Sequence, residues 1–269
     1  MSFQLFAMLM VLAFAPPSPG STEHGPNFYS SEKEKEIGKK LAEETKWSYK
    51  LLNDPAVMGY IERVAQNLAK NSDARFPITV AVVGSDAVEA CTLPGGYQFV
   101  SRGLLLQLTD DAELASVFAR GIAHTALRSA TTLATKAEIE NLAITPVTSV
   151  PVGSSNPNIA TSQVELMNIA SIRREDEMDA DYFGMQYMYK AGYDSKRFID
   201  YVQRNGSVGS TADENVTVLL NSFPPVDVRL AALRNEISTI LPPQADAIIS
   251  TPGFAEFRDC LRHDSEPLH

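Results

Sequence analysis

The chain has 269 residues, 44% of them hydrophobic and 21% charged, which is the balance of a globular protein with material for one sizeable core or two small ones; disorder is not the default reading. Its formal net charge of −10 gives it no electrostatic attraction for nucleic acid or an anionic lipid surface, and neither is expected as a partner. Phe3 to Ala15 is nearly continuous apolar sequence, followed by Pro16-Pro17-Ser18-Pro19-Gly20. The run is too short to span a bilayer as a stable helix. It fits the apolar part of a secretory signal peptide cut among the small residues from Ala13 to Ser21, although no Lys or Arg precedes it. Residues 1–20 are therefore expected to be a signal peptide and 21–30 an exposed lead-in. The mature chain is expected to be exported, periplasmic or secreted, with no integral membrane segment.

A helix then starts at Ser30 or Ser31, with Glu34 placed for a capping box and Ile37, Leu41 and Trp47 on one side. A second helix follows Asn53-Asp54-Pro55, where Pro at the first turn is a start signal, and carries Val57, Ile61, Val64 and Leu68 at helical spacing. Pro77 to Val83 is rich in β-branched residues, and Leu93 to Val100 reads as a glycine turn into a short strand; together they predict a small antiparallel sheet. Asp110-Asp111 can cap a helix running to about Arg128, with Leu114, Val117, Phe118, Ile122 and Leu127 on a broad apolar face. Residues 143–160, rich in Pro, Ser and Gly, read as a loop. A long helix is expected from Thr161 to about Lys190, stopped by Gly192, then a shorter one with Phe198 and Val202. A last one follows Phe223-Pro224-Pro225 through Val228, Leu230, Leu233 and Ile237. The fold class is α+β, mainly helical, with one domain over 31–240 and a C-terminal extension over 241–269. Cys91 and Cys260 are far apart in sequence, and whether they pair or stay free thiols is left open by their spacing.

The helix over 113–130 reads ELASVFARGIAHTALRSA. In a zinc peptidase, two His at i and i+4 on one helical face hold the metal, a Glu beside the first activates the metal-bound water, and a third ligand comes from a later helix. The sequence resembles the HtpX and CAAX-prenyl-endopeptidase type of zinc metallopeptidase, a gluzincin-like family, and within it the exported BepA-like soluble branch, whose helix reads ELAxVLAHEIAHxxxRH. Three further segments carry the resemblance in family order: LPGGYQFVSRGLL (93–105) is similar to the family's LPGGxIFVxxGLL, SIRREDEMDADYFGMQYMYKAGYD (171–194) to its ExxxD helix and AGYD, and SFPPVDVRLAAL (222–233) to its S-x-H-P-x-x-x-x-R segment. The resemblance covers about residues 32–240 and implies a zincin-like metallopeptidase domain with the small sheet beside the active-site helix.

The departures gather at the implied active centre. The first His of the motif is Arg120, its Glu is Gly121, and the His before Pro is Phe223. His124 stands at the second His, Glu177 at the third ligand, Asp181 at the Asp that supports the ligands, and Arg229 at the downstream Arg. Arg keeps its proton in proteins and offers zinc no lone pair. His124 and Glu177 alone are two ligands where a catalytic zinc takes three plus water. Loss of the carboxylate at 121 removes a factor of roughly 10²–10⁴ from proton transfer. No cofactor is expected, and His124 and Glu177 read as a vestigial metal pair. Arg120 is expected to bring a fixed charge to Glu177, with Gly121 leaving it room. The leading expectation is a catalytically inactive metallopeptidase-family protein, a pseudoenzyme, binding extended or unfolded polypeptide along an edge strand formed by Gly95, Gly96, Tyr97, Gln98 and Phe99. The alternative is an active zinc-dependent metalloendopeptidase with a rebuilt site. It would need a substitute ligand, and the other histidines, His24, His263 and His269, lie near the termini. A scaffold retained without activity is the third reading.

Overall fold

A computed structural model describes residues 26–144, 163–205 and 224–263. Helix α1 (Ser31–Ser48) is capped by Ser30, whose hydroxyl accepts from the Lys33 amide at 3.1 Å. That choice of cap puts Glu34 one residue too late for a capping box. Glu34 is instead buried, accepting from Arg128 Nε at 2.6 Å and Thr131 Oγ1 at 3.0 Å. The buried side of α1 is Glu34, Gly38 and Ala42, whereas Leu41 is exposed. The apolar side expected from Ile37 and Leu41 is thus displaced by a stripe of small residues. A Cβ on Gly38 would stand 1.8 Å from the Pro94 carbonyl oxygen, so α1 lies directly on the turn at 94–96.

Strand β1 (Leu51–Leu52) leads into α2 (Pro55–Lys70), where Asp54 caps by accepting from the amides of Ala56 and Val57. Then come β2 (Thr79–Val83), β3 (Ala90–Leu93), a tight turn at Pro94–Gly96 and β4 (Tyr97–Ser101). The strand order is β1-β2-β4-β3. The sheet is mixed, not purely antiparallel, because β2 and β4 run parallel with Thr79 opposite Tyr97. β3 folds back antiparallel on the far side of β4, with Thr92 opposite Gln98. Gly95 and Gly96 carry the turn at φ 76° and 90°, and a Cβ at Gly96 would meet the Pro77 carbonyl at 2.3 Å, so only glycine fits there.

Helix α3 (Arg102–Gln107) precedes α4 (Asp111–Ala126), capped by Asp110. α4 is the axis of the molecule: every residue from Asp111 to Ala119 is buried, as are Gly121, Ile122, Ala123 and Thr125. It is enclosed by α2, by α6 (Gln163–Lys190), by α7 (Lys196–Asn205) and by the sheet. At Arg128, held in the left-handed region at φ 53°, the chain turns into α5 (Ser129–Ile144), a helix the sequence left unassigned. The expected loop over 143–160 falls mostly outside the described residues. α6 ends as predicted at Gly192, with Gly192 and Tyr193 amides returning to the carbonyls of Tyr189 and Met188. α8 (Val226–Thr239) buries Arg229, Leu230, Leu233 and Glu236 and leaves Val228 exposed.

The folded unit extends past residue 240. A further helix, α9 (Pro252–His263), buries Phe254, Phe257 and Leu261 in the main core, and Phe257 stacks on Tyr60 of α2 at 4.7 Å between ring centroids. The chain before it is bonded to the end of α6 through Gly192, Asp194 and Ile248, and to the start of α4 through Ala112 and Ile249. At the other end, residues 26–30 are tied down: Asn27 donates to Thr131 at 2.8 Å, the Phe28 amide to Thr135 at 3.0 Å and Tyr29 to Glu138 at 2.7 Å. Cys91 is on the exposed β3 and Cys260 on α9, and the two are free thiols. Among the described residues no helix is long and apolar enough to cross a membrane.

Two glycine substitutions separate packing from propensity. Gly59 in α2 has nothing within 4 Å of an added Cβ, so Gly59→Ala should stabilise by roughly 1 kcal/mol. Gly38→Ala gains the same propensity but collides with Pro94, at a cost of about 1–3 kcal/mol or more. Urea unfolding midpoints should therefore move in opposite directions; a gain in both would show that α1 is free to lift from the turn.

Candidate functional site

Between the sheet, α4, α5 and α6 lies a cleft of about 430 Å³. Its walls include Leu93 and Gln98 from the sheet, Arg120, Gly121 and His124 from α4, Leu133 from α5, and Asp176 and Glu177 from α6. The 3.6-residue period sets Arg120 and His124 one above the other on α4, and likewise Glu177 and Asp181 on α6.

These four side chains meet. Arg120 donates through Nη2 to Glu177 Oε2 and through Nε to Asp181 Oδ1 at 3.1 Å. Arg229 of α8 grips the same Asp181 from the other side, Nε to Oδ2 at 2.6 Å and Nη2 to Oδ1 at 2.8 Å. Two guanidiniums and two carboxylates thus form one network across three helices. Asp181 is only 2% exposed and Glu177 8%, while Arg120 is 25% exposed. Burial lowers the Arg120 proton affinity; Asp181 offsets only part of this and the charge of Arg229 adds to it, yet a guanidinium between carboxylates stays charged. For Arg229, burial also lowers the proton affinity, but the Asp181 bonds prevail and hold it above its usual range.

His124 lines the cleft with both ring nitrogens toward oxygen: Nδ1 is 3.0 Å from Ser129 Oγ and 3.3 Å from Asp176 Oδ2, and Nε2 is 3.6 Å from Glu177 Oε2. Asp176, next to Glu177 on α6, thus faces His124. Ser129 stands where the family pattern places the His after its Arg. The sequence reading passed over both.

The space beside Gly121 is not taken by the Arg120 guanidinium, as the sequence reading supposed. A Cβ there would lie 2.7 Å from Thr92 Oγ1 and 2.8 Å from the Gln98 amide. Gln98 and Thr92, opposite each other on β4 and β3, share one face and press on α4 where the catalytic carboxylate would start. Gln98 is buried, and among the described residues its amide nitrogen has no hydrogen-bond partner. In the family pattern this strand position is Ile, so the polar exchange at 98 was visible in the sequence, but its partner at 121 was not.

The strand offered for peptide binding needs correction. β4, with Tyr97, Gln98 and Phe99, is interior, bonded to β2 on one side and β3 on the other, and Gly95 and Gly96 are buried in the turn beneath α1. Its backbone groups are already paired. Among the described residues, the open sheet edge beside the cleft is β3. Because Ser101 donates its amide to the Glu89 carbonyl, the alternation of an antiparallel ladder turns the amides of Ala90 and Thr92 outward. Phe223 lies outside the described residues.

Zinc does not fit the donors present. His124 and Glu177 converge, but the Glu177 oxygen toward His124 already accepts from Arg120, which stands in the first ligand's position. No group of three His, Cys, Asp or Glu side chains among the described residues could hold a metal.

Residues 55–237 match Peptidase family M48. The chain belongs to that family. The match runs from α2 through most of α8 and takes in Arg120, His124, Glu177, Asp181 and Arg229. The chain is also similar to the beta-barrel assembly-enhancing protease of Yersinia pestis, 25% identical over 226 residues (79% of this chain, 46% of that protein). Its Vibrio cholerae counterpart is 29% identical over 190 residues, covering 66% of this chain and 38% of its own. The mitochondrial metalloendopeptidase OMA1 of Arabidopsis thaliana is 29% identical over 133 residues (49% and 27%). The chain thus spans less than half the length of these relatives.

One buried acid beside the network gives a pH test. Glu236 of α8 is 4% exposed, and burial, aided by the charge of Asp181 and opposed by a hydrogen bond from Gln186, pushes its carboxyl up to about 8. The native state then keeps this proton where an unfolded Glu, near 4.5, has lost it. Its contribution to stability is complete below pH 4.5 and is lost as pH rises through 8. Glu236→Gln should therefore gain thermal stability relative to the native protein progressively between pH 5 and 8.5. A difference that stays flat across that range would place Glu236 in contact with water.

Proposed function

We propose that this M48 protein is exported to the cell envelope and holds extended polypeptide without cleaving it. The observation that carries the reading is the open edge of β3 above a cleft whose hydrolytic parts are replaced. An edge strand with outward amides is a template for a fifth strand, and backbone hydrogen bonds supply affinity largely independent of sequence. Hydrolysis needs a base and an electrophile. The position of the base is Gly121, filled around by Gln98 and Thr92, and the position of the first metal ligand is a guanidinium.

The relatives support the choice of ligand. Beta-barrel assembly concerns chains rich in strand-forming segments, which offer unpaired edges before they close. Export is supported by the apolar N-terminal run followed by small residues.

The test uses the full chain and fluorescein-labelled β-casein as an unfolded probe. Anisotropy should rise on titration, and the probe should stay intact on a gel after long incubation. Ala90→Pro removes one outward amide of β3 without breaking the β3–β4 ladder, and should weaken binding about five- to tenfold at unchanged thermal stability. Binding unaffected by this variant would move the polypeptide elsewhere on the surface, and chelator-sensitive cleavage of the probe would establish the active-peptidase reading instead.

A further inference from the structure

We infer that the Arg120 guanidinium is a built-in substitute for the metal ion of the family: it holds Glu177 and Asp181 as a resident cation, makes the fold independent of metal, and closes the site to zinc. The inference goes beyond the polypeptide reading, since a protein that bound no polypeptide could still be built this way.

Three features of the site lead there. The first is placement. Arg120 occupies the first-ligand position on α4, and its guanidinium reaches two of the acidic side chains that α6 presents to the centre, Glu177 and Asp181, while Asp176 lies beside His124. One planar cation with several fixed donors does what a metal does there, gathering oxygens from a neighbouring helix onto α4. The second is charge. Arg120, Arg229, Glu177 and Asp181 sum to zero, so the four are satisfied among themselves. A zinc ion added beside them would bring the cluster to +2 in a site where Asp181 and Glu177 are nearly sealed from water, and screening there is weak. The third is backbone approach. Gly184 of α6 lies against the Arg120 backbone, where an added Cβ would be 3.2 Å from Arg120 Cα and N. The two helices therefore cross at the residue that carries the cation, and the network sits one turn away along α6.

Arg120 also lies between two possible roles, and charge distinguishes them. A surface arginine paired with an acid adds little to stability. A cation that compensates carboxylates nearly sealed from water leaves them unpaired when it is removed, which is costly. Asp181 keeps Arg229 in that event; among the described residues, Glu177 is left with only the His124 ring beside it.

The experiment is thermal unfolding of the full chain, untagged, in EDTA and in equimolar zinc chloride, with zinc binding followed by calorimetry. The native protein should melt at the same temperature in both and bind no zinc. Arg120→Met should lower the melting temperature by about 5–10 °C, with no rescue by zinc. Adding Glu177→Gln to Arg120→Met should recover part of that loss, and this double variant decides the matter if Arg120→Met alone fails to fold. Arg120→His restores a third donor beside His124 and Glu177, and should bind one zinc per chain with a rise in melting temperature that EDTA reverses. Stoichiometric tight zinc in the native protein, an Arg120→Met melt unchanged from native, a double variant no more stable than Arg120→Met, or a folded Arg120→His that ignores zinc would each overturn the inference.

Discussion

Asp181 is gripped from two sides by guanidiniums of different helices, Arg120 on α4 and Arg229 on α8, while its own helix α6 packs along α4. A single carboxylate, 2% exposed, thus fixes the mutual position of three helices. Such an anion is tolerable in the interior only because charge-assisted bonds from both sides satisfy its oxygens. The cleft inherits its geometry from this point. Glu177 is one turn before Asp181 on α6, His124 one turn after Arg120 on α4, and the spacing between these turns sets how far the walls stand apart. The cleft that resembles a peptidase centre is bounded on one side by this ion network.

The departures from the family pattern are physically linked. Replacing a metal ligand by Arg supplies charge where a metal supplied it. Removing the carboxylate at 121 leaves a gap against the sheet, and Gln98 and Thr92 fill it. The cost is an unpartnered amide nitrogen on Gln98, of the kind that buried polar groups generally avoid. Relative to the family pattern, the centre thus keeps its charge compensated and its volume filled.

Much of this was legible in the sequence, because helices carry their geometry in their spacing. The i, i+4 relation of Arg120 to His124 and of Glu177 to Asp181 placed four of the site residues, and the caps at Asp54 and Asp110 and the stop at Gly192 were local signals. The illegible parts were long-range. Nothing in Thr79–Val83 or Tyr97–Ser101 says that they run parallel, so β4 was taken for an edge when it is central. The inward side of α1 is marked by Gly38 and Ala42, residues whose burial follows from closeness to another backbone and not from apolarity. Helix α9 was missed despite a readable start at Pro252 and Phe254, Phe257 and Leu261 at helical spacing, because the family resemblance ends before it.

The contact between Gly121 and Gln98 ties the altered positions to one another. Each altered position has become the environment of the others. A carboxylate regained at 121 meets the Gln98 amide, a ligand regained at 120 takes away the cation that neutralises Glu177, and an Ile regained at 98 restores a side chain shaped for a neighbour no longer there. The centre is coupled: Gly121 shares its volume with Gln98 and Thr92, and Arg120 shares its charge with Glu177 and Asp181, so a change at one of these positions is felt at the others.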